Sequence, residues 1–352
     1  MNLGSLRRNK VWVAVGVLVV LAVVGGAYLA FADDEPVEIS NAEELQQIRE
    51  NPSGNYVLVD DIDMSHIDNF EPIENFTGTL DGNGHTISNL TINRPEMDWV
   101  GLFLSVRDDT RLFGLVGDKG TVKDVRLKDA NVTGDKYVGS LAGANLGTVT
   151  GSSTTGEVRG DEVVGGLVGQ NEGTIRESYT SNYVSGDSVL GGLVGWNYGG
   201  IVESYSTSDV TGGSTVGGLV GTNHAIPRTE GTVVKSYSTG DVSGEEEVGG
   251  LVGHNRVDGD VSESYATGRV MGDNKVGGLV GVSSGDVSNS YWDTGANQRN
   301  NSVAGTGLTT DEMTGSAARE NMDGFDFGET WRTTEDDYPR LAWQDEGSES
   351  DE

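Results

Sequence analysis

Few residues in this chain have types and spacings that do chemistry. Its 352 residues include no cysteine and four histidines, His66, His85, His224 and His254. Without thiols there are no disulfides, thiolate metal sites or cysteine nucleophiles. None of the histidines stands in the His-Glu-x-x-His pattern that sets two zinc ligands and a base on one helix face, which excludes that class of peptidase. No Gly-x-x-x-x-Gly-Lys-Ser/Thr phosphate loop occurs. His224 and His254 flank the equivalent Asn223 and Asn255 of successive repeats and would approach each other there; Asp258 and Asp260 could complete a metal site, although two exposed loop histidines are the simpler expectation. Asp135, Asp161, Asp187, Glu245 and Asp273 recur at one repeat position, and stacked carboxylates suit Ca²⁺. That column is interrupted by Gly213, and no Gly-Gly-x-Gly-x-Asp phrase accompanies it, so solvated turn acids are expected and no cofactor is assigned.

The elements that would position these residues are set by one phrase. Val-Gly-Gly-Leu-Val-Gly stands at 164–169, 216–221, 248–253 and 276–281, with variants at 190–195, 138–143 and 112–117. Aligned on the residue before Leu, the copies fall at 114, 140, 166, 192, 218, 250 and 278, a period of 26 lengthened twice, to 32 and 28. A fixed period of this size signals a stacked-repeat architecture. Each repeat holds three short β-prone segments bounded by Gly, with no helical spacing and no Leu-x-x-Leu-x-Leu phrase. The expected fold is all-β: a parallel β-helix of about 26 residues per coil with three strands in each, equivalent residues stacking at about 4.8 Å. Two columns mark the stacking, Asn145, Asn171, Asn197, Asn223 and Asn255 at a corner, and Tyr179, Tyr205, Tyr237, Tyr265 and Tyr291 at the end of the second strand.

The two long intervals are insertions at the same corner of successive coils, 224–230 and 256–258. Insertions in a solenoid emerge as loops from one face. Trp196 and Tyr198 of the preceding coil lie beside the longer loop, so His224, Ile226, Arg228, Trp196 and Tyr198 form the candidate contact surface.

Residues 1–10 are basic, and 11–32 form an apolar run without charge, followed by Asp33, Asp34 and Glu35. At about 1.5 Å per residue such a run spans the roughly 30 Å hydrocarbon core. A single-pass membrane anchor with the basic end cytoplasmic and the rest of the chain extracellular is expected. If Ala30-Phe31-Ala32 is a cleavage site, the product is secreted. Residues 33–98 are expected to cap and begin the stack, 99–292 to form the repeats, 293–343 to close it, and 344–352 to be an acidic tail. The formal charge of −32 excludes nucleic acid as a partner and suits solubility at high salt, as in a halophile. Asn75, Asn89, Asn131 and Asn300 stand in Asn-x-Ser/Thr sequons.

The Gly-Leu-Val-Gly phrases, with the trailing Asn-x-Gly-x-Ile and Ser-Tyr, resemble the GLUG-motif repeats of large bacterial and archaeal surface proteins. These include non-catalytic N-terminal regions of some IgA-cleaving metallopeptidases. The lead-in Phe76-Thr-Gly-Thr-Leu-Asp-Gly-Asn-Gly-His85 and the closing Ser290-Tyr-Trp-Asp293 are similar to segments that flank such repeats. The likeness covers roughly 38–343. It implies a β-helix in a surface setting and names no catalytic residue. A binding role, as adhesin or scaffold contacting envelope glycans or proteins, is therefore expected. The alternative is a polysaccharide lyase or hydrolase, which needs clustered carboxylates on non-repeating sequence.

Overall fold

Alternation of Val, Leu or Ile with small and polar residues gives each repeat one inward face, and the computed structural model of the chain winds these faces into a β-helix. It describes residues 35–106, 120–333 and 335–346. The expected membrane segment 11–32 lies outside the described residues, and among those described no helix is long and apolar enough to cross a membrane.

One coil shows the plan. Strands Thr174–Arg176, Tyr179–Ser185, Ser188–Gly191 and Val194–Asn197 follow one another. Each pairs in parallel and in register with its counterparts one repeat earlier and later, as Val149–Ile175–Ile201 and Asn171–Asn197–Asn223 do. There are thus four faces per coil, called here the Ile, Tyr, acid and Asn faces, where three strands were expected. The difference arises in Val-Gly-Gly-Leu-Val-Gly. It is not one strand: Val164-Gly165 ends the acid face, Gly166-Leu167 turns the corner, and Val168-Gly169 starts the Asn face.

The glycines permit that corner. A methyl on Gly191 would overlap the carbonyl oxygen of Val194 and come within 2.8 Å of both Gly221 N and Leu219 O. All of these are backbone atoms, which cannot rotate away. Gly191→Ala is expected to exceed the ~1–3 kcal/mol typical of an overpacked core, read as a lowered thermal midpoint against Gly200→Ala, where the nearest neighbour is a Thr hydroxyl at 3.6 Å.

The middle coils bury aliphatic residues from all four faces, for example Ile175, Val184, Leu190, Leu193 and Val194, each 0% exposed. At ~1.5–3 kcal/mol per buried side chain, the coils hold only as a stack. Two polar ladders run inside the corners. Asn145, Asn171, Asn197 and Asn223 each donate Nδ2 to Oδ1 of the next Asn, at 2.8, 2.8, 2.8 and 3.0 Å, and Asn255 donates to Ser283 Oγ at 3.3 Å. Ser152, Ser178, Ser204, Ser236 and Ser264 form the second: each backbone N–H donates to the next serine's Oγ at 3.1–3.3 Å. The serine thus sits at a corner and the tyrosine after it opens the Tyr-face strand, where sequence placed the pair at a strand's end.

The copy at 112–117 lies outside the described residues, and its expected place in the stack belongs to other residues. Val100 bridges to Val138, and Phe103–Val106 pairs with Ala142–Asn145. At the N-terminal end, Asn41 accepts Glu44 N–H at 2.9 Å and caps the helix Ala42–Gln47, whose Ala42 and Leu45 are buried. At the other end residues 294–308 cross the last coil: Asn297 Nδ2 donates to Gly278 O at 2.9 Å, and Ser302 Oγ accepts from Leu279 and Val280 N–H.

Residues 309–346 then run back along the Tyr face. Two short helices, Thr310–Met313 and Ala318–Asn321, are separated around Gly315 at φ +57°. Tyr179, Tyr205, Tyr237 and Tyr265 stack with centroids 4.8–4.9 Å apart and planes within 3°. Tyr291 meets Phe325 edge-on instead, at 5.6 Å and 68°. Trp331 lies against Tyr265 and Tyr237, and Trp343 Nε1 donates to Glu203 O at 2.9 Å. The rings are therefore covered by protein. Burial raises the Tyr205 phenol to about 12 and pushes Tyr237 and Tyr265 higher still.

Candidate functional site

With the tyrosine stack covered, a second set of partly exposed rings lies where the acid and Asn faces meet. Two outward columns of the Asn face carry it. Trp196 stands between Gln170 and Thr222, with His254 next in register. Two residues further along the coil, Tyr198 takes the position that His224 and Arg256 hold in the next two coils. Trp196 and Tyr198 stack at 5.2 Å and 29°, and Tyr198 meets the His224 ring at 6.0 Å and 59°. Both aromatic residues are partly buried. Burial raises the Tyr198 phenol to about 12, so it is a neutral hydroxyl at physiological pH.

A third column comes from the acid face. Trp99, Tyr137, Val163, Val189, Thr215, Glu247 and Lys275, one per coil, all have φ between +52° and +61°. Such conformations cost ~1–3 kcal/mol each for non-glycine residues. The turned residues pack over the third glycine of the phrase; a methyl on Gly195 would lie 2.8 Å from Val164 N. Trp99 and Tyr137 stack at 3.9 Å and 4°. This second aromatic pair escaped sequence reasoning. Its signal was available: both residues stand directly before a Val-Gly, the position in which the other coils carry Val, Thr, Glu or Lys.

The insertions bring the polar residues together. His224, His254, Arg256, Val257 and Ser284 line an open cavity of about 300 Å³. His224 Nδ1 is 2.9 Å from Val257 O; because a carbonyl only accepts, that nitrogen carries the proton. His254 Nδ1 is 3.1 Å from Glu247 Oε2. Burial alone would raise the Glu247 carboxyl, but hydrogen bonds from Lys275 and Thr215 and the neighbouring His254 outweigh it and hold the group low. Glu247 is thus a fixed carboxylate orienting His254, the reverse of a general acid held protonated. Arg256 is exposed and makes no ion pair among the described residues.

The remaining candidates are scattered. Ile226 is half-buried, its N–H 3.1 Å from Thr229 Oγ1, while Arg228 is exposed at the loop tip with φ +89°. Asp258 is exposed and Asp260 faces Asp286, whose charge adds to burial in raising it. No group of three His, Asp or Glu residues able to hold a metal occurs among the described residues. The column Asp135, Asp161, Asp187, Glu245 and Asp273 lies on turns whose backbone N–H and C=O groups pair between coils, as Asp187 N with Asp161 O at 2.9 Å. Among the sequons, Asn89, Asn131 and Asn300 are exposed and Asn75 is half-buried; Asn89 Nδ2 already donates to Asp63 Oδ1 at 2.8 Å. A Gly-x-Ser-x-Gly string does occur at 281–285, but its Ser283 ends the Asn ladder and donates to Gly285 O at 3.1 Å. It is a corner residue, and no nucleophile elbow is formed.

Comparison with known proteins places this geometry. Residues 244–271 match the GLUG motif. Over 141 residues the chain is 35% identical to halomucin of Haloquadratum walsbyi, covering 36% of this chain and 1% of halomucin. Over 130 residues it is 32% identical to a protein of Evansella cellulosilytica described as a Gly-rich membrane protein, covering 33% of this chain and 14% of that one. The matched region is therefore a small part of each relative. Among solved structures, one described as an immunoglobulin A1 protease from Bacteroides ovatus aligns over 89% of this chain and 94% of its own, at TM-score 0.53 and 20% identity. A second, an IgA1 protease, aligns over 72% of this chain and 21% of its own, at the same TM-score and identity. At that identity the likeness is one of fold.

Proposed function

We propose that this GLUG-repeat protein is a membrane-anchored surface β-helix that binds envelope glycans or proteins, as adhesin or scaffold, through the corner around Trp196, Tyr198 and the 224–230 loop. The observation that carries the reading is that the repeat is interrupted there and that aromatic rings, imidazoles and a cavity come together at the interruption. Stacked, partly exposed aromatic rings present flat apolar area at low entropy cost, which suits sugar faces and protein side chains alike. The acid-rich surface elsewhere favours solubility over contact. Support for the surface setting comes from the apolar run at 11–32 and from the relative described as a membrane protein.

Shortening 224–230 to the single residue found in other coils leaves the Asn ladder and the strands beside it intact. The shortened protein is expected to fold as the parent does and to lose at least tenfold in retention on a glycan array, in line with removing a contact centre. Unchanged retention contradicts the placement. Released oligosaccharides in a parallel product assay would favour a carbohydrate-active enzyme instead.

A further inference from the structure

The same corner carries a chemical preference. In a chain with 55 acidic and 23 basic residues, eight of the 17 described Lys and Arg side chains are ion-paired, as Lys136 is with Glu162 at 2.7 Å and Arg269 with Asp241 at 3.0 Å. Arg256 is exposed without such a partner, and it lines the cavity with two imidazoles and the Ser284 hydroxyl. Both imidazoles are oriented by their Nδ1 contacts, to Val257 O and to Glu247 Oε2, which leaves each Nε2 for a ligand. The guanidinium is a receiver for a planar or tetrahedral anion, and each Nε2 lone pair beside it accepts from a hydroxyl. Next to it stand the Tyr198 and Trp196 rings, Tyr198 only 6.0 Å from His224 between centroids.

We propose that this cavity takes the carboxylate or sulfate of an anionic saccharide on Arg256, with sugar hydroxyls donating to Nε2 of His224 and His254, while the adjoining pyranose lies on Tyr198 and Trp196. The assignment rests on reading the corner as a glycan-contact site and names the class of glycan. The overall negative charge does not forbid it. At physiological ionic strength the screening length is about 8 Å, which mutes the distant carboxylates, and Glu247, the carboxylate against His254, is bonded to Lys275 at 3.0 Å.

The test titrates the full-length protein with tetragalacturonate, with its fully methyl-esterified form, and with a sulfated galactose tetramer. Tetragalacturonate or the sulfated tetramer is expected to bind at least about tenfold more tightly than the ester, the scale of one charge-assisted hydrogen bond, and the tighter of the two identifies the anion. Arg256→Gln should close that gap without moving the thermal midpoint, since the side chain is exposed and unpaired. Trp196→Ala should weaken acid and ester alike. Equal binding of acid and ester, with loss only in Trp196→Ala, overturns the anion assignment and leaves the glycan-contact reading standing. Retention of none of the three overturns both.

Discussion

Replacing Asn197 with leucine is expected to destabilise the β-helix by about 3–5 kcal/mol, as several buried partners are orphaned at once. Its Nδ2 donates to Asn223 Oδ1 at 2.8 Å, to Gly199 O at 3.1 Å and to Thr232 O at 3.2 Å, while its Oδ1 accepts from Asn171 at 2.8 Å. The side chain is 0% exposed, so no water replaces these contacts. Leucine fills the space yet leaves Asn223 Oδ1 and Asn171 Nδ2 short of a partner on opposite sides. Asn145 begins the described ladder and is bonded to one further Asn only. Asn145→Leu should therefore cost less by at least ~1 kcal/mol, the net worth of one hydrogen bond. Chemical denaturation of both variants decides the matter. Equal losses would mean that each Asn caps its own corner and that the column has no collective role.

Trp331→Ala has the second large effect, of a different kind. Trp331 is 0% exposed and stacks on Phe325 at 4.7 Å and 22°, with Tyr265 and Tyr237 at 5.7 and 6.2 Å. Truncating a buried tryptophan costs about 3–5 kcal/mol. Here the loss falls on the segment 309–346, whose own contacts are with the Tyr face and not with the β-helix core. The expected result of limited proteolysis is early cleavage within 309–346 while the coils persist. The uncovered tyrosines, lowered towards their ordinary pKa, should then ionise from about pH 10 instead of 12 and above. Simultaneous digestion of the whole chain would show that the segment and the coils unfold as one unit.

These two residues also mark what was legible in the amino-acid order. The Asn column could be read because a buried amide must find a partner, and the repeat supplies an identical one every coil. The Tyr column could be read as a stack, but its cover could not. Trp331 and Trp343 come from non-repeating sequence, and nothing in their spacing says which face they return to. The phrase Val-Gly-Gly-Leu-Val-Gly gave the period and concealed the corner. Its split at Gly-Leu depends on backbone approach between coils, a tertiary constraint that local β-propensity does not carry. The string at 112–117 stands at the right interval, but Val100-Gly101-Leu102-Phe103, one residue shorter than its neighbours, occupies the place beside Val138–Ala142. For the candidate site, Trp196, Tyr198 and His224 could be proposed from the sequence because they adjoin an interruption. Glu247 and the Trp99–Tyr137 pair were missed because a left-handed residue before Val-Gly turns its side chain to the corner, and sequence does not show where a strand kinks.

Hydrogen–deuterium exchange on the full-length protein, with and without the saccharide it retains best, tests the binding corner most directly. Added ligand should slow exchange in 196–200, 224–231 and 254–258, and leave the Tyr-face segment 309–346 unchanged. Protection confined to 309–346 or to the Ile face, with the corner unaffected, would contradict the assignment of function to the place where the repeat is interrupted.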